Sequence, residues 1–170
     1  AGLNADQVML SMIENPLMWY NVEVLHLKKG NDSIRNIIGV PADVKKFKIV
    51  DFFTKEGNYK LAPYMQDAYS AAIPTVFDKE FRDVDQRIGL LNRTLTGGIL
   101  TIFPKAGDPN NKWLSYPELG ESGYKGMDSV YSKQIIPLYL QSLRKARETG
   151  DYKDADKLLE SIAGFQKRFN

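Results

Sequence analysis

A mainly α-helical domain is the fold class that the sequence predicts, and three observations lead to it. Apolar residues from Phe77 to Leu95 alternate at spacings of four and three, which places them on one face of a long helix. Helical spacing recurs in two segments near the C-terminus, whereas the strand-like patterns are short. We expect about six to seven helices, at most a small β-sheet and, at the C-terminal end, an antiparallel helical hairpin.

The first helix has clear local signals at both ends. Asn4 followed by Gln7 three residues later is the pattern of a capping box, in which each side chain bonds the other residue's backbone N–H. Pro16 is expected to stop this helix because proline cannot continue a regular helix. Its apolar residues are expected to face the core.

The rest of the first sixty residues predicts short mixed structure. Apolar and β-branched residues indicate strands, and glycine, asparagine and aspartate indicate the turns between them. The expected elements are strands over 22–27 and 47–50, a turn over 28–32, a helix over 34–38 and a helical turn over 51–56.

The long central helix is preceded by a shorter one, predicted over 61–72, and is expected to expose its polar face. Asp78 with Arg82 and Asp83 with Arg87 stand four residues apart, a spacing that favours ion pairs on a solvated helix surface. Glycines at 97 and 98 should end the helix because glycine adopts the left-handed region at no steric cost. A strand over 99–103, stopped by a proline, follows.

The C-terminal third predicts two helices joined by a short turn. The first is expected to begin at Asp128 or Ser129, to bend at Pro137 and to end at Gly150. The second presents apolar residues at helical spacing from residue 152 to residue 169. The turn resembles that of tetratricopeptide repeats, yet no second copy occurs, so a repeat array is excluded.

Composition limits the classes of function. The 170 residues carry 23 basic and 21 acidic side chains, mixed along the chain, which is not the charge distribution of a nucleic-acid-binding protein. Because there is no cysteine, thiolate catalysis and thiolate metal sites are excluded. No apolar run reaches the about 18 residues that would span a bilayer. We expect a single domain over 1–170, with a subdivision into 1–60 and 61–170 as the alternative.

The segment from Pro104 to Met127 is the best candidate for a working surface. It contains several prolines and glycines, and loops of more than about 15 residues without regular structure are commonly functional. Trp113, Tyr116 and Tyr124 lie in it, and exposed aromatic side chains of this kind carry binding energy at interfaces. The alternative is that these rings only attach the loop to the core.

Catalytic chemistry is sparse. His26 is the single histidine, so this chain alone cannot supply a Ser-His-Asp triad, a multi-histidine zinc site or bis-histidine haem ligation. His26 is a weak haem-ligand candidate, and a hydrogen-bonded structural histidine is the alternative. Asp83 and Asp85 are expected to be solvated carboxylates on the central helix. We therefore predict no catalytic residue and no metal site.

Several segments resemble a known family. They are NADQVML (4–10), NPLMW (15–19), YKLAP (59–63), DVDQRI (83–88), IFP (102–104) and DPNNKW (108–113). Together they resemble the soluble insert of fused ResB/CcsA-type proteins of system II cytochrome c maturation. In such proteins the membrane-embedded part carries haem outward and attaches it to apocytochrome c. The tryptophan-rich haem-handling motif and the membrane histidines of that family have no counterpart in this sequence, so the resemblance transfers no catalytic residue.

The resemblance implies location and context. It implies an extracytoplasmic, non-catalytic domain of a cytochrome c maturation membrane protein, with no cofactor in the isolated domain and haem in the full-length protein. The implied partners are apocytochrome c, other maturation components and the membrane-embedded part of the same chain, with no nucleic acid. The alternatives are a haem-binding or haem-relay module and an unrelated periplasmic enzyme.

Overall fold

The structure is a computed structural model that describes residues 2–27 and 32–170, and its architecture is mainly α. Most of the predicted turn over 28–32 therefore lies outside the described residues. The α-helices of the described residues are α1 Ala5–Glu14, α2 Pro16–Tyr20, α3 Asp32–Ile38, α4 Met65–Ser70, α5 Val76–Leu95, α6 Met127–Thr149 and α7 Lys153–Phe169. The strands are β1 Leu25–His26, β2 Lys46–Phe47, β3 Thr101–Pro104 and β4 Trp113–Ser115. Short 3₁₀-helices occupy Ile49–Phe52, Ala62–Tyr64 and Tyr116–Glu121. The predicted fold class is confirmed.

The chain divides into two compact units. The first unit ends at Leu95 and the second runs from Thr96 to Asn170. The division follows the last residue of α5, whereas the sequence suggested residue 60 as the alternative boundary. The prediction of one domain over 1–170 stays a prediction.

The strands of the first unit are shorter than the sequence predicts. β1 and β2 pair antiparallel over two residues each, with Leu25 opposite Phe47. After β2 the chain enters the 3₁₀-helix over Ile49–Phe52. The side chain of Asp51 caps the start of this helix by accepting a hydrogen bond from the backbone N–H of Lys48 at 2.8 Å. Pro16 ends α1 as predicted, and it also begins α2, where the missing N–H of a first-turn proline costs nothing.

The predicted N-terminal capping box is confirmed. The side chain of Asn4 accepts the backbone N–H of Gln7 at 2.9 Å, and the Gln7 side chain accepts the backbone N–H of Asn4 at 3.0 Å. Each bond satisfies a donor that has no partner within the helix. The start of α1 is therefore set by two residues close in sequence.

The core of the first unit is built around the predicted stripe of α5. Phe81, Val84 and Ile88 are at most 3% exposed. Helices α4 and α1 pack against α5, so the helix after Leu61 is one partner of the stripe, as expected. The other buried apolar residues of this cluster are Leu25, Leu27, Ile34, Ile38, Phe47, Ile49, Phe52, Leu61, Ala68 and Leu95.

One predicted ion pair on α5 is confirmed, whereas Asp78 and Arg82 interact electrostatically but make their hydrogen bonds to other residues. Arg87 lies 3.0 Å from Asp83, as the spacing predicted. Asp78 instead accepts the backbone N–H of Thr75 at 2.7 Å and its hydroxyl at 2.8 Å, which caps the helix N-terminus. Arg82 donates to the carbonyl of Ala68 at 2.7 Å. Both side chains of the predicted pair are thus held by hydrogen bonds to other residues.

The second unit places a β-hairpin against two antiparallel helices. β3 and β4 pair antiparallel, and α7 packs on β3, where the Gln166 side chain donates to the Ile102 carbonyl at 2.9 Å. Lys145 near the end of α6 pairs with Asp154 near the start of α7 at 3.2 Å, as an antiparallel hairpin requires. Gly150, at φ +75°, ends α6. The buried apolar residues are Phe103, Leu114, Leu119, Tyr124, Ile135, Ile162 and Phe165.

Replacing a residue of the α5 stripe by alanine should destabilise the first unit. We expect Phe81→Ala or Ile88→Ala to lower the free energy of unfolding by about 2–5 kcal/mol, because each removes a fully buried side chain and leaves a cavity. Denaturant unfolding measures this. Leu90→Ala, on the same helix but 56% exposed, is the matched control and should change stability by less than about 0.5 kcal/mol. Equal, small losses for all three variants would contradict the packing of this stripe.

The cap on α5 should make stability depend on pH. The backbone N–H and then the hydroxyl of Thr75 hold the pKa of Asp78 below its usual value of 3.8. Such a carboxylate stabilises the folded state above its ordinary pKa, and this stabilisation is lost as the pH falls through the lowered pKa. Asp78→Asn should therefore lower the urea midpoint at pH 7, and the difference from wild type should shrink towards pH 2. Midpoints that stay equally far apart from pH 7 to pH 2 would contradict this account.

Candidate docking surface

The segment over 104–127 is structured, so the prediction of a long irregular loop is wrong. It forms the turn of the β3–β4 hairpin and then a 3₁₀-helix over Tyr116–Glu121. The backbone N–H of Lys105 donates to the carbonyl of Lys112 at 2.8 Å, and that of Ala106 donates to the carbonyl of Ser122 at 2.9 Å. These bonds join residues that are distant in sequence, so local sequence patterns do not reveal them. The segment therefore has a defined, hydrogen-bonded structure.

Tyr124 is part of the support of this surface. Its side chain is 9% exposed and its ring lies edge-on to Phe165 with centroids 5.0 Å apart. The hydroxyl donates to the carbonyl of Pro104, and burial raises the pKa of Tyr124 to about 12. Tyr124 therefore attaches the segment to the core, the alternative that the sequence left open.

Trp113 and Tyr116 are more accessible. Trp113 is half-buried on β4, opposite Pro104 in the register of the hairpin. Tyr116 is 39% exposed at the start of the 3₁₀-helix, and its hydroxyl donates to the carbonyl of Lys133 on α6 at 3.1 Å. One end of the Tyr116 side chain is thus held while part of its ring faces outward. The docking prediction for the exposed aromatic residues rests on these two.

Apolar side chains are also exposed on α6, the helix that the Tyr116 hydroxyl contacts. Val130 is 45% exposed and Leu138 is 47% exposed, and Pro137 is exposed between them. Residues three, four and seven positions apart share one face of a helix, so Val130 and Pro137 flank the carbonyl that Tyr116 contacts. We call Tyr116, Val130, Pro137 and Leu138 the docking surface.

A shallow groove continues the docking surface along α6. Its volume is about 460 Å³, and it is lined by Pro137, Leu138, Gln141, Arg144, Lys145 and Glu148. The lining combines apolar carbon with charged side chains and contains no cysteine, serine or histidine. Such a groove can contact a polypeptide.

A second groove lies between the start of α6 and the end of α7. Its volume is about 330 Å³, and it is lined by Met127, Asp128, Tyr131, Ser161, Gly164, Phe165 and Arg168. The rings of Tyr131 and Phe165 are stacked at 4.8 Å, and the guanidinium of Arg168 lies over Phe165 while pairing with Asp128. These contacts join the two helices, so the groove is explained by the packing of the hairpin.

His26 lies in the first unit and is exposed on β1, between the buried residues Leu25 and Leu27. Its backbone carbonyl accepts a hydrogen bond from Arg87 at 3.4 Å. A tight haem site holds its axial ligand in an apolar pocket, and an exposed imidazole does not fit that requirement. Across residues 2–27 and 32–170, no group of three His, Cys, Asp or Glu side chains is placed to hold a metal ion.

Asp85 is a polar centre that the sequence did not reveal. The prediction that it is a solvated carboxylate is wrong, because Asp85 is half-buried and accepts the hydroxyls of Tyr59 and Tyr69, each at 2.8 Å. Asp83, by contrast, pairs with Arg87 and its side chain is 42% exposed. One signal was available: Asp85 stands four residues after Phe81 and three before Ile88, at the edge of the buried stripe.

The Asp85 cluster connects three parts of the first unit. Tyr59 lies between the first two 3₁₀-helices, Tyr69 belongs to α4 and Asp85 to α5. Burial, followed by the hydrogen bond to the Asp85 carboxylate, raises the pKa of both tyrosines, so their hydroxyls stay protonated and donate at neutral pH. Arg82 also lies over the Tyr69 ring at 5.6 Å. The two hydrogen bonds to Asp85 and the contact of Arg82 with Tyr69 give this cluster a structural role.

Among the described residues, no helix combines the length and apolar character needed to cross a bilayer.

Comparison with known proteins gives one informative similarity. The chain is 30% identical to Protein NrfI of Wolinella succinogenes over 121 residues, which is 69% of this chain and 13% of that protein. The chain therefore spans only a small part of the length of the curated relative it matches. No protein-family model matches the sequence.

Proposed function

We propose that this chain is a non-catalytic extracytoplasmic domain of a cytochrome c maturation protein, and that it docks apocytochrome c or another maturation component. The observation that carries the proposal is the similarity to Protein NrfI, which supports a link with cytochrome c biogenesis. The finer assignment to a fused ResB/CcsA-type protein rests on the sequence segments that resemble that family. Because the chain spans 13% of its relative, the activity of the whole protein is part of the proposal.

Docking is the role that the surface chemistry favours. The docking surface combines a partly exposed tyrosine ring with neighbouring apolar side chains on α6, and its rim carries charged groups. Aromatic side chains surrounded by polar residues are common at protein interfaces. We infer that contact with a polypeptide is the use that this combination of side chains favours.

In the full-length protein, the membrane-embedded part of the same chain would handle haem. This division of labour agrees with the scarcity of imidazole and thiolate ligands in the domain, where His26 is the single imidazole and is exposed and cysteine does not occur. The implied location is the extracytoplasmic side of the membrane. Flanking sequence with membrane spans on both sides would support this location.

Tyr116 of the docking surface, and Trp113 on the strand that precedes it, should form crosslinks in the full-length protein. With a photoreactive amino acid at position 116 or 113, we expect crosslinks to apocytochrome c, to another maturation component or to the membrane-embedded part, because these side chains are accessible. Mass spectrometry identifies the products. Position 124, where the side chain is 9% exposed, and position 152, where Tyr152 is 50% exposed on the turn between α6 and α7, are the controls. No products from 113 and 116, with products from 152, would place the interface elsewhere.

The isolated domain should bind hemin weakly, and its binding should not depend on His26. We expect His26→Ala to leave the hemin titration curve unchanged, because the imidazole is exposed, whereas a tight haem site encloses its axial ligand in an apolar pocket. The absorbance of the Soret band measures binding. Stoichiometric binding at micromolar concentration or below that is lost in His26→Ala would instead favour a haem-relay module.

A further inference from the structure

Pro137 leaves one carbonyl of α6 without its usual donor. In an α-helix each carbonyl accepts the N–H of the residue four positions later, and proline has no N–H. Pro137 lies inside α6, so the carbonyl that loses its donor is that of Lys133. Both residues are on the exposed side of the helix.

Tyr116 supplies a donor at that carbonyl. Its hydroxyl donates to the Lys133 carbonyl at 3.1 Å, although the two residues are 17 positions apart and belong to different elements. In transmembrane helices interrupted by proline, side chains, neighbouring helices or ordered waters bond the freed backbone groups. The Tyr116 hydroxyl therefore donates to the carbonyl that the N–H missing from Pro137 would otherwise bond.

Neighbouring residues hold Tyr116 in this position. The 3₁₀-helix that it begins has a capping box, in which the Glu118 side chain accepts the backbone N–H of Ser115 at 2.8 Å. Pro117 follows Tyr116 and fixes its own φ angle. The backbone of Tyr116 is thus ordered by local contacts that do not involve α6.

We propose that Tyr116 is a latch that fixes the 3₁₀-helix to α6 at Pro137 and keeps this turn of α6 closed. When the hydroxyl leaves the Lys133 carbonyl, α6 opens more readily at Pro137, and Tyr116 separates from the face of α6 that carries the exposed Val130 and Leu138. The latch thereby controls whether these residues form one continuous surface. That this surface binds a partner rests on the proposed function, whereas the latch itself does not.

Hydrogen exchange of the whole chain tests the latch without a partner. We expect Tyr116→Phe to accelerate exchange of the backbone amides of residues 138–141 about fivefold, the factor that corresponds to a net hydrogen-bond contribution of about 1 kcal/mol. In a Pro137→Ala background, the restored N–H bonds the Lys133 carbonyl, so the same substitution should change these rates less than about twofold. Tyr152→Phe, which removes an exposed hydroxyl on the turn after α6, is the matched control and should leave the rates unchanged.

Two results would overturn the latch. Acceleration by Tyr116→Phe that is equal in the wild-type chain and in the Pro137→Ala background would mean that the hydroxyl does not act through the freed carbonyl. No acceleration in either background would mean that it does not stabilise this turn. Because no partner is present, failure of the proposed docking function leaves the exchange result unchanged, and crosslinking from position 113, which keeps the Tyr116 hydroxyl, tests docking separately.

Discussion

Burial of the apolar stripe of α5 is the constraint on which the first unit depends. Phe81, Val84 and Ile88 point into one cluster, and every other element of the unit contributes side chains to it or packs near it. This burial explains the hydrogen bonds of the polar groups at the edge of the stripe. Because Asp85 is carried to the boundary of the core, its carboxylate needs partners, and two tyrosine hydroxyls supply them. Thr75 and Asp78 fix where the helix starts.

The core of the second unit is held together by aromatic packing. Phe165 of α7 contacts Phe103, Tyr124, Tyr131 and Phe169, so one ring joins the hairpin, the following segment and both helices. Aromatic pairs of this kind contribute beyond the area they bury. The hydroxyl of Tyr124 is then bonded to a hairpin carbonyl, which leaves no buried polar group of that ring without a partner. This packing makes the segment over 104–127 a firm base for the docking surface.

The proposed link with cytochrome c biogenesis rests on the similarity to Protein NrfI, and the proposed docking role rests on the partly exposed Tyr116 and the exposed apolar side chains of α6. The grooves along α6 and between α6 and α7 are lined by residues suited to contact and packing. In the proposed function, the domain would hold a partner near the membrane-embedded part of the full-length protein. Tyr116 is central because it is both exposed and hydrogen-bonded.

The sequence by itself determined what depends on neighbours along the chain: the α5 stripe, the capping box at Asn4, the helical end at Gly150 and the mainly α class. Spacing and capping chemistry express short-range rules, so these features can be predicted from the order of the residues alone. Only the tertiary structure decided that residues 104–127 are ordered, that Asp85 is bonded to Tyr59 and that Tyr116 meets Lys133. The Tyr116–Lys133 contact joins residues 17 positions apart, and the Tyr59–Asp85 contact joins residues 26 positions apart. The packing of the elements decides which of these distant residues meet. The sequence does not show whether a carboxylate or a phenol faces water or a buried partner, because the packing of the elements decides this.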